Sequence, residues 1–200
     1  EMSASLVGSE MCIRDSYMSI HLKPNCHFEE LPPYTMMAAA AIVKAIQRLT
    51  GINTEIKWVN DIYLNNKKMA GILTEAISSI ESGRITDVII GVGLNFSISD
   101  FPEELANKAT SLFTSEKPSI TRNQLISEIW RLFLTIPTSD LVKVYKEKSL
   151  VLDKQVTFEQ AGKTYTGVAK EIGDKGQLLV LTDDGREKWL TAGEVSLTSW

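Results

Sequence analysis

A chain of 200 residues, 44% hydrophobic and 23% charged, has the composition of a globular protein with room for one medium domain and one small one. Its net charge of −4 at pH 7 argues against a dedicated nucleic-acid binder, which needs a basic face. No apolar run approaches the roughly 18 residues of a membrane span. Cys12 and Cys26 lack C-x-x-C spacing and read as reduced thiols of a cytoplasmic protein.

Residues 1–16 show no clear period of helix or strand, and they lack the basic and long apolar regions of a secretory signal. Their peptide GSEMCIRDS resembles translated sequencing-adapter read-through, so 1–16 are expected to be non-native, with native sequence starting near Tyr17. Residues 17–22 alternate as a strand. Pro32-Pro33 opens a helix with Met36, Ala39, Ile42, Val43, Ile46 and Leu49 at three- and four-residue spacing, capped by Gly51. Residues 52–58 alternate apolar and polar as a half-buried strand. Asn65-Asn66 between 62–64 and 69–76 predicts a hairpin. The β-branched and glycine run 88–94 predicts a strand buried on both faces, and 102–109 a short helix. Thr121 with Gln124 is a capping-box pattern, starting a helix with Leu125, Ile129, Leu132, Phe133 and Ile136 on one face until Pro137. Another helix is expected at 139–149. The pattern then changes to short strands at 156–158, 165–169, 177–181 and 188–190. Gly162, Asp174-Lys175-Gly176 and Asp183-Asp184-Gly185 supply turns at about ten-residue spacing, as in a small all-β barrel. His21 and His27 have no cysteine or carboxylate at ligand spacing and read as isolated strand or surface histidines.

Lys57, Asn60, Asp61, Lys67 and Lys68 cluster at a strand end and around the hairpin. If Asn65-Asn66 closes it, Asp61 and Lys68 fall on opposite arms and face one site. A lysine beside a carboxylate and an amide suits a reaction that builds negative charge on phosphate; the same residues also fit an ordinary solvated turn. Gly71, Gly91 and Gly93 lie inside strands, where glycine marks either close approach of a ligand or a bulge. Asn95 fits a base or ribose contact, or a strand cap.

The ordered set K-W-V-N-D-I-Y-L at 57–64, K-K-M-A-G-I-L-T-E at 67–75, G-V-G-L-N-F at 91–96 and G-E-V-S-L at 193–197 resembles the biotin–protein ligases over residues 17–197. The resemblance implies an α+β fold: a mixed sheet with helices, like that of class II aminoacyl-tRNA synthetases, as a partial catalytic domain at 17–149, then an SH3-like barrel at 150–200. It implies an ATP-dependent enzyme using biotin, ATP and Mg²⁺. The enzyme would form biotinyl-5′-AMP and transfer biotin to a lysine of the biotin carboxyl carrier domain of acetyl-CoA carboxylase or a related enzyme. On this resemblance Lys68 is the catalytic lysine at the biotin carboxyl and Asp61 the catalytic-site aspartate. Gly71 and Ile72 contact biotin, and Lys57, Asn60, Asn95 and Glu194 contact ATP or the adenylate. Val59 stands where the family usually has proline. The family's G-R-G-R-x-G-R segment does not occur in this sequence, which implies a truncated copy with impaired activity. Two alternatives stay open: a lipoate–protein ligase, or the ligase part of a bifunctional biotin operon repressor whose N-terminal helix-turn-helix would bind DNA. Pairing through sheet edges would make a homodimer.

Overall fold

In the computed structural model, which describes residues 15–114 and 117–198, the first sheet contains β1 (Asp15–Leu22), β2 (Glu55–Lys57), β3 (Asp61–Leu64), β4 (Lys67–Ser78) and β5 (Ile85–Asn95). Their order is β1-β5-β4-β3-β2, every neighbouring pair antiparallel. The expectation of non-native sequence at 1–16 falls mostly on residues 1–14, outside the described residues. Asp15 and Ser16 are already in β1, opposite Asn95 and Leu94.

One face of this sheet is covered by α1 (Tyr34–Thr50), which Gly51 ends in the left-handed conformation at φ 75°. Every residue from Met36 to Val43 is buried, because α2 (Arg122–Thr135) and α3 (Thr138–Glu147) pack on the side of α1 that the sheet leaves uncovered. The alanines let these layers approach closely. The capping box at Thr121 and Gln124 forms as the sequence predicts.

Three local expectations are corrected. Residues 102–109 make turns rather than a helix: after Pro102 accepts from Leu105 and Ala106, the chain leaves to bridge Ala109 to Lys68. The strand expected at 52–58 is only Glu55–Lys57, since residues 58–60 turn back into β3. β5 is not buried on both faces. Val88, Ile90, Val92 and Leu94 are buried, whereas Gly91 and Gly93 are half-buried and Ile89 is exposed. The continuous apolar run hides an alternation because glycine carries no side chain to reveal which face is open.

The second sheet follows directly. β6 (Gln155–Gln160), β7 (Lys163–Ile172), β8 (Leu178–Thr182), β9 (Glu187–Leu190) and β10 (Val195–Leu197) lie in the order β10-β6-β7-β8-β9, again antiparallel. Gly185 turns β8 into β9 at φ 79°, in the region that favours glycine. One continuous apolar core joins both sheets. The edge of β2 is covered by the segment leading to β6: Ile56 donates its backbone N–H to Lys148 and accepts from Leu150.

Candidate active site

The site begins with the hairpin between β3 and β4. Asn65 and Asn66 take φ values of 51° and 63°, the paired positive angles of a tight hairpin turn that asparagine tolerates. In an uninterrupted ladder from Asp61 opposite Gly71, Lys68 would point to the sheet's other face, because side chains alternate. The register instead slips: Ile62 opposes Ala70, but Tyr63 opposes Lys68. Met69 is the extra residue of a β-bulge, which re-aims the side chain beside it. Lys68 Nζ thereby comes 2.8 Å from Asp61 Oδ1. Both lie over Gly71, where an added Cβ would stand 3.4 Å from Lys68 Cε and 3.5 Å from Asp61 Oδ1. The Lys68 side chain is 42% exposed and that of Asp61 16%, so the ammonium is held in place yet reachable.

The strand registers place Tyr17, Gly93, Gly71, Asp61 and Lys57 in one row across all five strands. The next row is Ser19, Gly91 and Leu73. Glycines in the middle leave a trough on the face opposite α1. Tyr17 walls one end, its ring 3.4 Å from where a Gly93 Cβ would sit. Leu73 flanks the trough and is exposed, and the Lys68–Asp61 pair closes the other end. Tyr17 to Asp61 spans three strand spacings, about 14 Å. The trough can seat a flat, mostly apolar molecule with an anionic end at Lys68.

Lys57 is buried and pairs with Glu194, just before β10, at 3.3 Å; it also lies 5.8 Å from the centre of the Tyr63 ring. The Tyr63 hydroxyl titrates above its ordinary value, first through burial and then through the negative charge of Asp61. Asn60 and Ile72 hold one another: Asn60 Nδ2 donates to the Ile72 carbonyl at 2.8 Å, and Ile72 N–H donates to the Asn60 carbonyl at 2.9 Å. The Ile72 side chain itself is buried on the core side of β4. Asn95 Nδ2 donates to the Thr110 carbonyl at 2.9 Å, while Thr110 N–H donates to the Lys68 carbonyl. Lys57, Asn60, Asp61, Lys68, Gly71 and Glu194 therefore form one connected group. Asn95 joins it through Thr110. Tyr17 and Leu73 were missed as wall residues; their signal was register relative to the strand glycines, which needs the paired sheet. His21, read as isolated, does have a carboxylate partner: its Nε2 lies 2.7 Å from Asp87 Oδ1. Among the described residues no group of three or more His, Cys, Asp or Glu is placed to hold a metal ion.

The Lys68–Asp61 site thus lies on an antiparallel sheet that is followed by a second β sheet. Residues 14–95 match the Biotin/lipoate A/B protein ligase family, and residues 151–198 match the Biotin protein ligase C terminal domain. Both the catalytic and the C-terminal parts of the biotin–protein ligases are thus matched in this chain, in order. The second match favours biotin over lipoate. Its sequence is 35% identical over 185 residues to the Bifunctional ligase/repressor BirA of Bacillus subtilis, covering 88% of this chain and 56% of that protein. It is 29% identical over 171 residues to the Biotin–[acetyl-CoA-carboxylase] ligase of Mycobacterium tuberculosis, covering 80% of this chain and 60% of that protein. The chain thus spans a little over half the length of these relatives. The structure of the biotin protein ligase from Aquifex aeolicus in complex with biotin and ATP superposes with a TM-score of 0.75 at 26% identity, covering 92% of this chain and 78% of that one.

Proposed function

We propose that this chain carries the adenylating and transfer centre of an ATP-dependent biotin–protein ligase. One observation carries the reading: the Lys68–Asp61 pair closes a glycine-floored trough that fits an apolar ring system bearing a carboxylate. Biotin would lie over Gly71 and Gly93 with its rings toward Tyr17 and Leu73 and its carboxylate at Lys68. Lys68 would neutralise the carboxylate and the α-phosphate as the carboxylate oxygen bonds to phosphorus and pyrophosphate leaves. Its fixed charge is worth most when negative charge builds on the phosphorus oxygens. In the second step the acceptor lysine's amine attacks the acyl carbon, AMP departs, and Asp61 is placed to take the proton released by the amine.

Lys57, Asn60, Asn95 and Glu194 belong to the nucleotide side of the site. Asn60, whose amide is on Ile72, would shape that side more than grip it. The described residues offer no carboxylate or histidine cluster for Mg²⁺, so the ion fits only as a companion of the nucleotide's phosphates, and no step is assigned to it. The acceptor would be a biotin carboxyl carrier domain of the acetyl-CoA carboxylase type, met in the cytoplasm, with a homodimer as the candidate assembly. No described helix is long and apolar enough to cross a membrane.

The test is biotin-dependent exchange of pyrophosphate into ATP, followed by label transfer to a carrier domain. Exchange that depends on biotin and not on lipoate supports the reading; exchange with lipoate alone would sink it.

A further inference from the structure

The turn at residues 58–60 carries Asn60 and Asp61 into the site, and it is held from three directions. From β4, Ile72 exchanges two hydrogen bonds with Asn60. From the turn between β7 and β8, the Gly176 carbonyl accepts from the buried Trp58 indole Nε1 at 2.7 Å. From α3, the Tyr145 hydroxyl donates to the Val59 carbonyl at 2.8 Å. Tyr145 is fully buried and comes from a helix that supplies none of the residues assigned to the site above. We propose that Tyr145 is a positioning residue for Asn60 and Asp61, acting through the Val59 carbonyl; the catalytic half of this inference rests on the ligase reading.

The argument is one of geometry. A peptide unit is planar, so fixing the Val59 carbonyl also fixes the plane that contains the Asn60 N–H and the direction in which the chain enters β3. Asp61 is the first residue of β3, one residue beyond. Its carboxylate must stay 2.8 Å from Lys68 Nζ, and site groups need placement to about 0.5 Å to be productive. The Tyr145 hydroxyl titrates well above its ordinary value through burial and, next, through the negative charge of Asp61. It therefore stays protonated at neutral pH and remains a donor. The ring fills the core; the hydroxyl does the aiming.

Tyr145→Phe separates these roles, because it keeps the ring and removes only the donor. Two measurements apply to the full chain. Amide hydrogen exchange should speed up roughly tenfold at residues 60, 61 and 72, while amides of β5 such as Ile90 keep wild-type rates. Biotin-dependent pyrophosphate exchange should lose about tenfold in kcat with KM for biotin within about twofold, since the trough itself is untouched. Wild-type rates in both measurements, or acceleration as large at Ile90 as at Ile72, would overturn the proposal; the latter outcome describes a residue that only supports the fold. If the wild-type chain shows no biotin-dependent exchange, through the impaired activity the sequence implies or through failure of the ligase reading, the amide measurement alone decides. Faster exchange confined to 60, 61 and 72 then upholds the positioning role, and unchanged or uniform rates overturn it.

Discussion

Lys68 and Gly71 are the residues whose replacement speaks most directly to the proposed chemistry. Lys68 is partly exposed and its ion pair with Asp61 lies at the surface of the trough, so its removal should cost little stability, as exposed pairs contribute at most about 1 kcal/mol. Lys68→Ala is therefore expected to abolish biotin-dependent pyrophosphate exchange while shifting the melting temperature by only a degree or two. An unchanged rate would refute the role given to Lys68. At Gly71 the geometry predicts a graded response. A single added Cβ meets Lys68 and Asp61 at ordinary contact distance, so Gly71→Ala should fold normally. Gly71→Val would fill the trough floor, and KM for biotin is expected to rise by at least about tenfold, a loss on the order of 1.4 kcal/mol. Titration with biotin checks this.

At the scale of elements, α2 and the second sheet offer independent tests. Thr121 accepts from the Gln124 N–H in the capping box, and Thr121→Ala should cost about 1 kcal/mol, read as a lower denaturation midpoint. In the turn after β8, the Thr166 hydroxyl and Gln155 hold the Asp183 carboxyl below the usual carboxylate range. The Thr182 hydroxyl does the same for Asp184. A carboxyl whose folded pKa is depressed adds stability that is present above its ordinary pKa near 4 and is lost as pH falls through the folded value. Thermal stability should therefore decline below about pH 4, and Asp183→Asn should flatten that decline. Melting curves across pH 2.5–6 test the sign, at about half-unit steps.

The elements also show where sequence reasoning reaches its limit. The Asn65-Asn66 hairpin, the Gly51 cap and the Thr121 box were legible because each is written in residues a few positions apart. The open face of β5 was not, because Gly91 and Gly93 erase the alternation that would mark it. The partnership of Lys57 with Glu194 joins residues 137 apart in the chain, and that of Tyr145 with Val59 residues 86 apart; no local period encodes either. Lys68 and Asp61 were matched as a pair from their place around the hairpin, but the bulge that brings them together leaves no composition signal.

Over the whole molecule, the two sheets behave as one unit. They share a continuous core and are tied by Trp58 to Gly176, Lys57 to Glu194, Lys146 to Asp174 and Lys175 to the Leu31 carbonyl. A single cooperative unfolding transition is expected by calorimetry. Trp58→Phe removes the donor to the buried Gly176 carbonyl and should lower stability by about 1–3 kcal/mol. A separate early transition of residues 151–198 in the wild type would contradict this coupling.

Lys67 and Lys68 are chemically the same side chain one position apart, and only Lys68 meets Asp61; Lys67 instead donates to the Ala106 carbonyl at 2.6 Å. What selects between them is parity, set by the single surplus residue Met69. Pairing Met69 with Tyr63 in an even ladder would remove no group that the reaction uses, yet it would turn the Lys68 side chain away from Asp61 and bring Lys67 to that face instead. The arm would then be a flawless strand carrying a silent site, so the irregularity in β4 is itself part of the site's specification, inherited as a register as much as an identity.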